Sequence, residues 1–111
     1  MVVFLGDHGW QLGDLGEFGK KTNFERATRT PLLIRDPARR NFRPGTSEAL
    51  VEFVDIFPTV IDLALGGGHA PPLCPGDSRA VAYCTEGQSL APLMQETPQA
   101  RPWNPNPGPP P

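Results

Sequence analysis

Asp7, His8 and Lys20 are side chains of the kinds that handle a divalent cation and an oxyanion together. A carboxylate suits a hard cation, an imidazole binds metals or hydrogen-bonds through either nitrogen, and a lysine ammonium is a compact charge for sulfate or phosphate. All three lie in the opening stretch MVVFLGDHGWQLGDLGEFGKK. On its own the Asp-His pair fits two roles, metal binding or a turn that Asp7 caps while His8 packs against its neighbours, and context has to decide between them. The context is a glycine at every third position after Trp10, namely Gly13, Gly16 and Gly19. This pattern suggests a loop that can press its backbone against a ligand just before Lys20 and Lys21.

Something must hold these groups in place. Met1 to Leu5 is an apolar, β-branched run closed by Gly6, and such a run predicts a buried strand of a parallel sheet. Asp7 and His8 then stand at the carboxyl end of the strand, where open α/β sheets place their ligands, with Gly9 allowing a sharp turn behind them. A solitary parallel strand makes no sheet, so the expectation is a chain that begins partway through a larger domain.

The run GDHGWQLGDLGEFGKKTNFERATRTPLLI, from Gly6 to Ile34, resembles the sulfatases of the alkaline phosphatase superfamily, whose matching segment has the form DHGWxLGEHGEWxKxxNFxxATxxPL. Leu15 stands where that pattern has histidine; the change spares the metal pair and the lysine and alters hydrogen bonding within the loop. The resemblance implies that Asp7 and His8 bind a divalent cation, calcium in this family, and that Lys20 contacts the sulfate. It also puts Trp10 at the pocket edge, where its ring either packs on a sugar or belongs to the core. His8 has an alternative: imidazole is a poor calcium ligand, so it contacts the sulfate or hydrogen-bonds a ligand instead. Sulfatases use a formylglycine made in a C/S-x-P-x-R motif as nucleophile, and the 111 residues contain no such motif. Formylglycine and the remaining metal carboxylates are therefore expected in a part of the family's chain that precedes these residues, and these residues alone are expected to be inactive.

Downstream, Thr22 or Asn23 is a candidate N-cap for a short helical turn that ends by Pro31, and Leu32 to Ile34 forms a brief strand. Residues 35–45 carry four arginines and read as a solvated loop, or one that meets an anionic substrate. Leu50 to Val54 is expected as a strand, followed by a helix with Asp55 as N-cap, Pro58 in its first turn and Gly66 as its stop. Val60, Ile61, Leu63 and Ala64 should face a core, with Asp55 and Asp62 in structural roles. Sulfatases carry a similar segment, VxxVDxxPTxxDLAG. For Cys74 and Cys84, spacing alone leaves a local disulfide and two free thiols both open; the family resemblance implies the bridge. From Pro98 onward the proline-rich ending reads as disordered, or as a polyproline ligand.

The fold expected is thus α/β: an incomplete piece of a mixed or parallel-sheet domain with helices over residues 1–97, followed by the tail 98–111. Within the domain, the metal and sulfate loop spans 6–21 and the cysteine-bearing segment spans 71–90. A formal charge of −2, from 10 basic and 12 acidic residues, points to neither a nucleic-acid nor a membrane partner. The opening residues lack the basic, apolar and small-residue pattern expected of a signal peptide, and no run in these residues is long enough to span a bilayer. The resemblance implies a sulfated glycosaminoglycan substrate for the intact protein and a lysosomal location reached by the secretory route. Two other classes stay open, a metal-dependent phosphatase or phosphodiesterase of the same superfamily and a non-catalytic truncated product.

Overall fold

The computed structural model describes residues 1–38, 42 and 44–95. Contacts divide the chain into two units, Met1–Ala38 and Arg39–Pro111. The proline-rich tail expected over 98–111, and three of the four arginines of the 35–45 loop, lie outside the described residues.

The first unit holds β1 (Val2–Leu5), β2 (Gln11–Leu12), β3 (Phe18–Gly19), α1 (Glu25–Thr28) and β4 (Leu32–Arg35). β1 runs antiparallel to β4, with Val2 opposite Arg35, Phe4 opposite Leu33 and Leu5 opposite Leu32. This corrects the expectation of a parallel, buried strand, since Val2 and Phe4 are 61% and 60% exposed. An apolar run shows that its faces favour burial, but it says nothing of the direction of its partner. The partner that pairs here is Leu32–Arg35, apolar over its first three residues.

β2 and β3 form a second antiparallel pair, Gln11 opposite Gly19 and Leu12 opposite Phe18. The tip between them turns through Gly16 N–H to Gly13 O at 3.0 Å and Glu17 N–H to Asp14 O at 3.0 Å. Gly13, Gly16 and Gly19 all have positive φ, at 108°, 77° and 101°. Their three-residue recurrence therefore serves the turns of a hairpin, a backbone conformation that side chains resist. The N-cap position of α1 is Phe24, not Thr22 or Asn23, and no side chain caps it. Thr22, a candidate N-cap, instead donates its hydroxyl to Gln11 Oε1 at 2.6 Å.

In the second unit the expected strand over 50–54 is absent: Phe53–Asp55 is a single 3-10 turn leading into α2 (Ile56–Ala64). Asp55 does occupy the N-cap position, and Pro58 sits in the first turn, where no helical N–H is missed. The Asp55 side chain closes a capping box with Glu52, accepting from Glu52 N–H at 2.9 Å. α2 ends in a Schellman arrangement, with Gly67 N–H donating to Asp62 O at 2.7 Å and Gly66 N–H to Leu63 O at 3.3 Å.

The buried side of α2 is partly polar. Thr59 and Asp62 are 0% and 5% exposed beside Leu63, whereas Ala64, expected in the core, faces solvent. What covers them is the segment after the cysteines. Gln88 N–H donates to Asp55 Oδ1 at 2.8 Å, Leu90 N–H to Thr59 Oγ1 at 2.8 Å, and the Ser89 hydroxyl to Asp62 Oδ2 at 2.6 Å. Positions 55, 59 and 62 recur at the helical period, so one face of α2 holds residues 88–90 like a strap. Gly87 lies so close to the Val54 carbonyl that a Cβ would overlap it. α3 (Ala91–Gln95) follows directly, with Ala91 buried. Cys74 and Cys84 are joined in a disulfide, Cα atoms 4.8 Å apart, at the neck of a loop closed by Cys74 N–H to Thr85 O and Thr85 N–H to Pro72 O, both 2.9 Å.

Candidate cation and oxyanion site

The GDHG tetrapeptide lies on the segment that links α1 to β4. Gly6 N–H donates to Pro31 O at 3.1 Å and Gly9 N–H to Ala27 O at 2.8 Å. A Cβ on Gly6 would fall on the Thr30 hydroxyl, and one on Gly9 would fall on the carbonyl oxygens of Arg26 and Arg29. Neither glycine has a positive φ, so Gly9 is needed for close approach rather than for the sharp turn its type suggested. Two flat residues thus press the backbone down on either side while Asp7 and His8 carry the functional groups. Among the described residues, the Thr30 hydroxyl is buried there without a hydrogen-bond partner.

The β2–β3 hairpin brings Lys20 back to this pair. Its ammonium is hydrogen-bonded to His8 Nε2 across 12 positions of sequence. The same nitrogen stands 3.2 Å from Asp7 Oδ2, with the Asp7 side chain 82% and the His8 side chain 28% exposed. His8 Nδ1 lies 2.8 Å from the Gly9 carbonyl. The Trp10 ring stands 5.9 Å from the His8 ring, tilted by 39°, and is 54% exposed, which puts it beside the pair and outside any core of this unit.

Gln11 carries the hairpin's return, and sequence reasoning passed over it. It is fully buried, accepting from the Thr22 hydroxyl at 2.6 Å and reaching Asp14 O from Nε2 at 3.4 Å. One side chain thereby ties the start of the loop to its tip and to the residue just past Lys21. A lone glutamine in a polar stretch gives no local signal of burial; the only clue was a hydroxyl placed to meet it eleven residues later. Asp14 is fixed further by Leu12 N–H at 3.3 Å and by Arg26 Nε at 3.4 Å. A shallow hollow lined by Asp14, Leu15, Phe24, Glu25 and Arg26 lies beside the tip and includes none of Asp7, His8 and Lys20.

Asp7 and His8 fit as a share of a cation site and not as a whole one. Calcium takes six to eight oxygen ligands. No group of three or more His, Cys, Asp or Glu that could hold a metal occurs among the described residues.

Residues 1–67 match the sulfatase family. The chain is 37% identical to iduronate 2-sulfatase of Mus musculus over 86% of its length and 35% identical to that of Homo sapiens over 81%. It is also 32% identical to the multifunctional alkaline phosphatase superfamily protein PehA of Trinickia caryophylli over 86% of its length. The chain belongs to the sulfatase family, and within it resembles iduronate 2-sulfatase. It spans 21%, 20% and 16% of the lengths of these three relatives. No solved structure matches it. Among the described residues no helix is long and apolar enough to cross a membrane.

Proposed function

We propose that these residues are part of a sulfuric ester hydrolase that removes sulfate from iduronate residues of glycosaminoglycans. They would supply one side of its active site, within a partial sulfatase domain over 1–97 whose sheet is completed by strands beyond it. The observation that carries this is the convergence of Asp7, His8 and Lys20 in a chain 37% identical to iduronate 2-sulfatase. Asp7 is the carboxylate this side offers to a divalent cation, calcium by family, with His8 beside it; that ion would polarise a sulfate oxygen when bound. Lys20 directs an ammonium at the sulfate, and Trp10 offers an exposed ring to the sugar. The nucleophile is a formylglycine supplied from outside these residues. The test is a sulfatase of full family length carrying this segment: it should turn over a sulfated iduronate disaccharide, and a preference for phosphate esters would transfer the reading to the phosphatases and phosphodiesterases of the superfamily. That second reading has support from the similarity to PehA. A third, a non-catalytic product, follows if the full-length protein turns over neither.

The disulfide supports a secretory route, since such bonds persist in oxidising compartments, and we place the protein in the lysosome. Recovery of the tagged full-length protein in the cytosol would contradict that placement.

A further inference from the structure

Lys20 is the first residue beyond β3, and Lys20 to Asn23 cross towards α1 with no helix or strand of their own. Among the described residues, no backbone-to-backbone hydrogen bond outside the helices and strands holds these four. A long cation on such a segment would sweep a wide arc, because each unfixed residue adds two soft dihedrals. Side-chain chemistry supplies the hold. The Thr22 hydroxyl donates to Gln11 Oε1 at 2.6 Å and accepts from Phe24 N–H at 3.4 Å. Gln11 also stands opposite Gly19 in the β2–β3 pair. One residue thus grips the chain on both sides of Lys20 and Lys21, at Gly19 through the ladder and at Thr22 through its amide oxygen.

We propose that Gln11 is a positioning residue for Lys20: its buried amide, acting through the Thr22 hydroxyl, fixes the segment from which the lysine reaches the sulfate. This rests on the functional reading above and deepens it. Gln11 is fully buried, so both ends of its side chain need partners, and a primary amide offers an acceptor and a donor together. Its Nε2 reaches Asp14 O at 3.4 Å while its oxygen takes the Thr22 hydroxyl. Glutamate would set a second acceptor against the Asp14 carbonyl, and methionine would leave the Thr22 hydroxyl unmet. The grip lies on the lysine's side of the site and touches neither Asp7 nor the cation it serves.

The test has two arms. In the 111-residue chain, backbone order is read from amide nitrogen relaxation at Lys20, with Val3 of β1 as the internal control. Lys20 should be rigid in the parent, with an order parameter of about 0.85, and should fall below about 0.6 in Thr22→Val while Val3 is unchanged. Thr22→Ser, which keeps the hydroxyl, should restore the order. Equal order at Lys20 in Thr22→Val, or loss of order at Val3 as well, would overturn the proposal. In a full-length sulfatase carrying this segment, Thr22→Val should lower kcat/KM by about tenfold or more, leave the calcium midpoint where it was, and cost nothing further in a Lys20→Ala background, because it acts through that lysine. A loss that multiplies with that of Lys20→Ala, a moved calcium midpoint, or parent activity in Thr22→Val would also overturn it. Parent activity in Lys20→Ala would instead count against the functional reading, and the relaxation arm would still decide whether Gln11 holds Lys20.

Discussion

Ser89 donates its hydroxyl to Asp62 Oδ2 at 2.6 Å across 27 positions of sequence, joining the middle of α2 to the segment that follows the disulfide. His69 N–H donates to the other oxygen at 2.9 Å. Burial pushes the Asp62 carboxyl up, but these hydrogen bonds, a further one from the Gly68 backbone and the nearby His69 charge outweigh it and hold the group below the usual aspartate value.

A pKa lowered on folding stabilises the folded state above the unfolded value, about 3.9 for aspartate, and that stabilisation is lost as pH falls through the lowered folded value. The second unit should therefore keep its stability from neutrality down to about pH 5, then lose it below about pH 4. Asp62→Ala, which leaves the Ser89 hydroxyl and the His69 N–H without their charged acceptor, should cost about 1.5–3 kcal/mol at pH 7. Urea unfolding at a series of pH values checks both, and a variant with the parent's acid slope would count against this role for Asp62.

The disulfide closes a short loop between positions 74 and 84. The chain-entropy account gives a stabilisation of about 2–3 kcal/mol for a loop of this length. Reduction, or the Cys74→Ser, Cys84→Ser double variant, should lower the stability of the second unit by that amount. Titration of the oxidised, denatured chain should find no free thiol; two reactive thiols would contradict the pairing.

Leu15 has φ 56° and ψ 22°, in the left-handed region where a branched side chain crowds the backbone, and at 78% exposure it gains little packing in return. Histidine, the residue of the sulfatase pattern at this position, is several-fold enriched at positive φ. Leu15→His should therefore stabilise the hairpin by about 0.5–1 kcal/mol. A lower melting temperature for that variant would show that Leu15 makes contacts this account misses.

Thr30 supplies a prediction of opposite sign to most core substitutions. Its buried hydroxyl has no partner among the described residues, and an unmet polar atom costs about 1–3 kcal/mol. Thr30→Val, of nearly the same shape, should be neutral or stabilising in the 111-residue chain. A loss above about 1 kcal/mol would mean that the hydroxyl is engaged after all.

Parts of this arrangement were legible because they depend on local chemistry. Asp7, His8 and Lys20 declare their types, Asp55 and Gly66 carry the start and stop signals of α2, and the cysteine pair resembles that of the family. The remainder depends on partners far along the chain. Nothing near Met1–Leu5 encodes that its partner runs antiparallel, since an apolar run looks the same in either direction. Asp62 was expected in a structural role, but its partner and the burial of Thr59 were not legible, because Ser89 and Leu90, which justify that burial, lie 27 and 31 positions away. Gln11 was silent for the same reason, and the role of Gly9 depends on carbonyls of α1 that no local pattern reveals.

The isolated 111 residues should hydrolyse no sulfate ester, because groups that act as a unit fail together when one is missing, and the C/S-x-P-x-R nucleophile motif is absent from them. Purified chain that cleaves a fluorogenic aryl sulfate above a blank would refute this.

The central claim is that Lys20 serves the sulfate while Asp7 serves the cation. It is tested most directly by calcium titration of Asp7→Asn and Lys20→Ala in a full-length sulfatase carrying this segment. Asp7→Asn should lose activity with its metal and recover part of it in excess calcium, since a charged ligand has become neutral. Lys20→Ala should keep its metal content while kcat/KM falls on the order of a hundredfold or more, with no recovery on adding calcium. Restoration of the lysine variant by excess metal, or normal activity of Asp7→Asn at low calcium, would contradict the account.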